Sequence, residues 1–220
     1  ALSKTLERIS SGLRINRAAD DAAGLGVATN LETASISQLQ GMRNANDGIS
    51  IIQTAESATN EITDILQRMR ELAIQSSSET LDNDERSYIE DEFLELSEEV
   101  ERIAQSIEFN GLELGNNTNT QLDVQVGIQN STNSRISLSL GDLRSTSLGV
   151  ASTQMSLGTV TSAQSALDGI DLAIDSVNSF RSGLGAAQNR LDSAINNAQV
   201  FVEALTAAES RIRDADFAVE

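Results

Sequence analysis

The chain has 220 residues and contains no Pro, Cys, His or Trp; its six aromatics are five Phe and Tyr88. Without Cys there are no disulfides or thiolate ligands. Without His the side chain best suited to proton transfer near neutrality, and the commonest metal ligand, is missing. Fifteen basic residues against 33 acidic ones give a net charge of −18, which repels nucleic acid and anionic lipid.

Average usage would supply roughly eleven Pro. Their absence fits a chain made mostly of helix interior, where each Pro costs about 3 kcal/mol or more. No apolar run reaches the roughly 18 residues needed to span a membrane. No charged-then-apolar secretory signal is visible either. The chain opens at Ala1 rather than Met, in a stretch that reads as helix. This is expected of an internal or processed piece of a longer protein.

Residues 1–30 read as broken. Ser10-Ser11-Gly12 is followed by Ala18-Ala19-Asp20-Asp21-Ala22-Ala23-Gly24-Leu25-Gly26, and each Gly costs a helix about 1 kcal/mol against Ala. An irregular joining segment is expected over 1–25. From about Ala28 to Ser77 the apolar residues return to helical spacing, through Leu39, Met42, Ile49, Ile52, Ala55, Ile62, Ile65, Met69 and Leu72. Such a helix is roughly 70 Å long, and Ser76-Ser77-Ser78 ends it. Asp82 with Glu85 three residues later predicts an N-cap pair. The helix behind it carries Ile89, Phe93, Leu96, Val100, Ile103 and Ile107 at steps of four and three, and Asn110-Gly111 stops it.

The period then changes to two. Leu122, Val124, Val126 and Ile128 alternate with polar residues, as do Ile136, Leu138 and Leu140. This predicts a β-hairpin with its loop over Gln129–Ser134, resting against the helices because a lone hairpin is marginal in water. Residues 145–163 are rich in Ser, Thr and Gly and carry no pattern. A long seam follows, from Leu167 through Ile170, Ile174, Val177, Arg181, Leu184, Gln188, Leu191, Ile195, Ala198, Val202, Leu205 and Glu209 to Ile212. Its alternating steps of three and four predict coiled-coil packing, with Arg181, Gln188 and Glu209 as polar interruptions that fix register.

A compact 220-residue domain has a radius of gyration near 17 Å, and two helices of about 70 Å do not fit inside it. The expected fold is therefore mainly α: an elongated antiparallel helical bundle, or coiled-coil rod, with a small β-hairpin region. Four segments are expected: 1–25 joining, 26–110 N-terminal helices, 111–163 hairpin and variable loop, and 164–220 C-terminal helix.

Little here points to catalysis. The acidic cluster Glu90, Asp91, Glu92, Glu95, Glu98, Glu99 and Glu101 interleaves with Phe93, Leu96 and Val100, so it reads as the solvated face of a helix rather than a calcium loop. Asp82-Asn83-Asp84 lacks the Gly of an EF-hand and reads as a helix start. Gly24-Leu25-Gly26 has Thr29 where a dinucleotide fingerprint needs its third Gly, and no strand precedes it. Ser without His makes no triad. No enzyme, cofactor or metal site is expected; an acidic enzyme domain is only a formal alternative. The segment Leu66–Gln75 is different. Arg68 and Leu72 are four apart and share a face, and an Arg beside an exposed Leu suits a protein interface.

These residues also carry a resemblance. Ser10-Ser11-Gly12-Leu13-Arg14-Ile15-Asn16 and Ala18-Ala19-Asp20-Asp21-Ala22-Ala23-Gly24 resemble the N-terminal signature of bacterial flagellin. Arg43-Asn44-Ala45-Asn46-Asp47-Gly48-Ile49-Ser50, Leu66–Gln75 and Phe109-Asn110-Gly111 are similar to further motifs of that family. Leu184-Gly185-Ala186, Gln188-Asn189-Arg190 and Ser210-Arg211-Ile212-Arg213-Asp214-Ala215-Asp216 resemble its C-terminal half.

The resemblance implies a self-assembling structural subunit of the flagellar filament. Such a subunit is extracellular, secreted without a cleavable signal peptide, and neither binds nucleic acid nor inserts into membrane. Most of the family's two terminal helices would be missing here, leaving a rod-domain fragment expected to be monomeric alone. The hairpin at 121–140 resembles the region associated with switching between subunit packings. The resemblance further implies recognition by a flagellin-sensing Toll-like receptor. The matching positions are Gln67, Arg68, Leu72 and Gln75 on the first helix, Ile89 and Glu92 on the second, and Arg190 on the C-terminal one. A hook–filament junction protein shares the terminal signatures and is the alternative.

Overall fold

This computed structural model describes residues 2–116 and 121–216, with side chains from residue 5 onward. Five helices carry most of the chain: α1 (Leu2–Ser11), α2 (Ala22–Ser76), α3 (Asn83–Ser106), α4 (Ser145–Leu148) and α5 (Val160–Arg213). The strands form two antiparallel pairs. The first joins β1 (Glu108–Phe109) to β2 (Leu112–Glu113), and the second joins β3 (Gln121–Gln125) to β4 (Arg135–Ser139). The mainly helical architecture with one small hairpin agrees with expectation; the β1–β2 pair is additional. Glu108 faces Glu113, and Phe109 faces Leu112, across the Asn110-Gly111 turn. Both turn residues have positive φ, +50° and +78°, which is what a two-residue hairpin turn demands and Asn-Gly supplies.

Helix boundaries follow capping chemistry. Asp82 and Glu85 form a reciprocal capping box: the Glu85 N–H donates to Asp82 Oδ1 at 2.8 Å and the Asp82 N–H to Glu85 Oε2 at 3.2 Å. Thr159 and Ser162 reproduce this arrangement ahead of α5, at 3.1 and 3.0 Å. Asp21 accepts the Gly24 N–H at 2.9 Å, so α2 begins at Ala22 and includes Gly24 and Gly26. The expected break over 1–25 is thus confined to the turn between α1 and α2. A Cβ on Gly24 would meet the Asp21 carboxylate and Ile15 Cδ1, two side-chain ends that would have to shift to admit it.

The chain divides into two compact units. One comprises residues 48–123 and 137–189, and it holds a hydrophobic core. Ile52, Ile62, Leu66, Met69 and Leu72 of α2, Phe93 of α3, and Ile170 and Leu184 of α5 are all at most 2% exposed. Polar seam residues tie this core to the segment 145–159. Ser97 donates to the Val150 carbonyl at 2.8 Å, Ser76 to the Leu157 carbonyl at 2.7 Å, and the Ser145 N–H and hydroxyl both donate to Glu101 Oε2 at 2.8 Å. The patternless stretch is therefore packed, with Leu148, Val150, Ala151 and Leu157 buried.

The other unit comprises residues 1–47, 124–136 and 190–220. Its buried residues are smaller and fewer: Ile15, Ala28, Ala45, Val124, Ile136, Leu191 and Ala198. Arg14 caps the end of α5, donating from its guanidinium to the Ile212 carbonyl at 2.6 Å and from its N–H to the Arg213 carbonyl at 2.6 Å. The hairpin rests on α2 through its backbone: Asn44 donates to the Gln125 carbonyl at 3.0 Å and Gln38 to the Val126 carbonyl at 3.4 Å. A Cβ on Gly41, between them, would strike that same Val126 oxygen.

The seams run one residue out of phase with expectation at many points. On α2 the buried stripe is Ala45, Gly48, Ile52, Ala55, Thr59, Ile62, Leu66, Met69, Ala73 and Ser76, while Leu39 is exposed. On α5 it is Ala163, Ala166, Ile170, Ala173, Val177, Leu184, Ala187, Leu191 and Ala198. Arg181, Gln188 and Glu209 are all half-buried, and Arg181 and Gln188 flank the buried stripe rather than interrupt it. Small residues take alternate inward positions, and the bulkier neighbours Leu167 and Ile174 cover the sides.

Candidate interaction surface

The seven positions singled out in the sequence separate into three groups. Gln67, Arg68 and Gln75 are exposed on α2, and Glu92 is exposed on α3. All four belong to the unit that holds the core. Arg68 reaches across to α3, its Nε and Nη2 donating to Glu92 Oε1 at 2.9 and 2.7 Å. Its Nη1 donates to Glu71 Oε2 at 3.0 Å. These hydrogen bonds, to Glu92 first and then to Glu71, raise the Arg68 pKa above its ordinary value. The guanidinium therefore stays charged, held between two carboxylates at the solvent boundary.

Leu72 and Ile89 form the second group, and here the structure corrects the sequence reading. Leu72 is 1% exposed and Ile89 8%, so no exposed Leu lies beside Arg68. Four residues along a helix advance 400°, which leaves a 40° offset. That offset places Arg68 at the rim and Leu72 beneath it, against the core. Both positions support the polar ridge from below. Arg190, the third group, is exposed on α5 at the first residue of the other unit's C-terminal segment.

Several surface residues were missed. Arg70 donates to Asp171 Oδ1 at 2.7 Å, joining α2 to α5, and this hydrogen bond holds the Asp171 carboxyl below the usual carboxylate range. Ile74, Tyr88 and Leu172 are exposed in the same unit. The signal for Ile74 and Leu172 was their position out of phase with the buried stripe.

The largest contrast lies between the units. The core-bearing unit has six Arg against 22 acidic residues, or −16; the other has nine basic against eleven acidic residues, or −2. Among the described residues, eight of the eleven large hydrophobics left exposed belong to the near-neutral unit: Leu6, Ile9, Val27, Ile36, Leu39, Ile128, Val200 and Phe201. Among the described residues no group of His, Cys, Asp and Glu is arranged to hold a metal. No described helix is long and apolar enough to cross a membrane.

Comparison with known proteins gives this surface a context. The bacterial flagellin N-terminal helical region matches residues 1–120, and the C-terminal helical region matches residues 167–220. A flagellin of Halalkalibacterium halodurans is 45% identical over 99% of this chain and 79% of its own length. A flagellin of Bacillus subtilis is 38% identical over the whole chain and 82% of its own length. The crystal structure of Bacillus cereus flagellin superposes with a TM-score of 0.62 at 28% identity, covering 71% of this chain and 88% of that one. The chain belongs to the bacterial flagellin family, whose members are structural filament proteins and not enzymes.

Proposed function

We propose that this chain is a subunit of the extracellular flagellar filament and serves motility by packing against copies of itself. The partition of charge and apolar surface supports this reading. The unit at −2 leaves eight large hydrophobics in water, which a partner copy would cover. The unit at −16 repels its own copies and stays solvated. The test is polymerisation of full-length flagellin carrying this sequence on filament seeds, followed by sedimentation. Val200→Asp with Phe201→Asp should reduce the pelleted fraction severalfold, and unchanged pelleting would overturn the assignment of that surface. A hook–filament junction protein, the alternative, would add to seeds without extending them. The 220-residue chain alone stays monomeric; filaments grown from it alone, seen by electron microscopy, would refute that.

A second reading concerns the ridge of Gln67, Arg68, Gln75 and Glu92, with Arg190 on α5. The four exposed polar groups on α2 and α3 form a face for the ectodomain of a flagellin-sensing Toll-like receptor, with Leu72 and Ile89 holding the helices beneath them, and Arg190 is a separate contact. The supporting observation is the charged, exposed Arg68–Glu92 pair, since Arg is enriched at interface hot spots. A receptor-reporter assay with purified variants tests it.

A further inference from the structure

We propose that Asn110 is a site of spontaneous, age-dependent modification, converting to aspartate and isoaspartate through a cyclic imide closed on Gly111. The sequence has one Asn followed by Gly, at the turn joining β1 to β2. Gly lacks a Cβ, so its backbone nitrogen is the least hindered nucleophile a following residue can offer. At Gly111 nothing beyond its chain neighbours lies within 4 Å of where a Cβ would be, so that side of the residue is open. Asn110 is exposed, and among the described residues its side chain has no hydrogen-bond partner to hold it away. The hairpin that fixes the turn has strands of two residues each, so little pairing must open before the backbone leaves φ +50° at Asn110.

The chemistry balances without an enzyme or an oxidant. The Gly111 nitrogen attacks Asn110 Cγ and gives up its proton; the side-chain amide nitrogen departs as ammonia, leaving a five-membered succinimide. One water then opens the ring. Opening at the side-chain carbonyl leaves an ordinary aspartate at this position. Opening at the main-chain carbonyl leaves an isoaspartate, which routes the backbone through the β-carbon. Either product adds one negative charge to a unit already at −16. The isoaspartyl product also lengthens a two-residue turn by one methylene, which breaks the Phe109–Leu112 pairing. Phe109 and Ile107 line an open cleft of about 720 Å³ with Ser50, Thr54 and Glu61 of α2. The modification therefore remodels that cleft as the protein ages.

The test is incubation of the purified chain in mildly alkaline buffer, with peptide mapping at intervals and isoaspartyl methyltransferase labelling. The Asn110 peptide should gain about one dalton, and should do so about tenfold faster than the Asn130-Ser131 peptide, because Ser carries the Cβ that Gly lacks. Asn110→Gln, whose cyclisation needs a larger ring, should abolish the conversion at this position. Gly111→Ala is the second variant: Ala is strained at φ +78° and loosens the turn. Slower conversion in this variant supports attack by an unhindered Gly111 nitrogen, whereas faster conversion would overturn it in favour of turn opening alone. Conversion at Asn110 no faster than at Asn130 would also overturn the proposal.

Discussion

Arg68 and Glu92 face one another across α2 and α3, with two guanidinium hydrogen bonds converging on a single carboxylate oxygen at 2.9 and 2.7 Å. The pair is exposed, so its removal changes the surface far more than the fold. Leu72, four residues from Arg68, is in the core. The two positions should therefore fail differently. Arg68→Ala should weaken receptor binding about tenfold or more while the melting temperature holds. Leu72→Ala should cost about 2–5 kcal/mol of stability, with any binding loss following from that. Circular dichroism melts beside receptor-reporter titrations separate the two, and Arg68→Ala with undiminished signalling would sink the receptor reading.

Gly41 and Gly183 are both interior to long helices, yet substitution by Ala should act in opposite directions. A Cβ at 41 would collide with the Val126 carbonyl oxygen, a backbone atom that moves only with the hairpin. Gly41→Ala should cost about 1–3 kcal/mol and speed hydrogen exchange at residues 124–128. A Cβ at 183 meets nothing within 4 Å, so Gly183→Ala should stabilise by about 0.5–1 kcal/mol, the helix-interior penalty of Gly. Equal melting shifts in the two variants would contradict the close approach of hairpin and helix.

The contrast between these glycines shows where sequence reading stops. Helix ends were legible because Asp82 with Glu85 and the serine run after α2 carry their own capping and breaking chemistry. Hairpin strands were legible from a strict period of two. The seam phase was not. Wherever Leu167 stood beside Ala166, or Ile174 beside Ala173, the larger residue looked like the inward one, and the structure buries the Ala. Helices packed through small residues invert the size rule, and nothing within one helix reveals its partner. Leu72 has two sequence readings, as a seam residue and as an exposed neighbour of Arg68, and burial settles it in the seam. The near-neutral unit is assembled from three separated stretches of chain, and no period or composition shift marks them as one unit.

Arg86 is 5% exposed and spans the loop between α2 and α3, donating to the Ser78 and Leu81 carbonyls at 3.0 Å each. Arg86→Met keeps the aliphatic stem and removes both donors. The two carbonyls then lose their partners, and each such loss costs about 1–3 kcal/mol when the group stays buried. Urea titration should show a lower midpoint with an unchanged slope, since the core is intact. An unchanged midpoint would mean that water replaces the guanidinium at no cost.

The composition sets the last expectation, the response to pH. With no His and no Cys, and Lys4 and Tyr88 as the single members of their types, no side chain has an ordinary pKa between about 5 and 10. Among the described residues the pairs that join two helices use Arg, as in Arg70–Asp171 and Arg68–Glu92. Hydrogen bonds from Arg144, Arg70 and Arg102 hold Asp142, Asp171 and Glu99 below their usual range. A depressed carboxylate pKa contributes stability that is present above the unfolded value and lost as pH falls through the folded one. Hydrogen bonds to carboxylates raise the Arg70, Arg102 and Arg144 pKa values, and that contribution is lost only above about pH 12. Thermal melts should therefore stay flat from about pH 6 to pH 9.5 and fall below about pH 4. A slope near neutral pH would contradict this, because no side-chain type present has its ordinary pKa there.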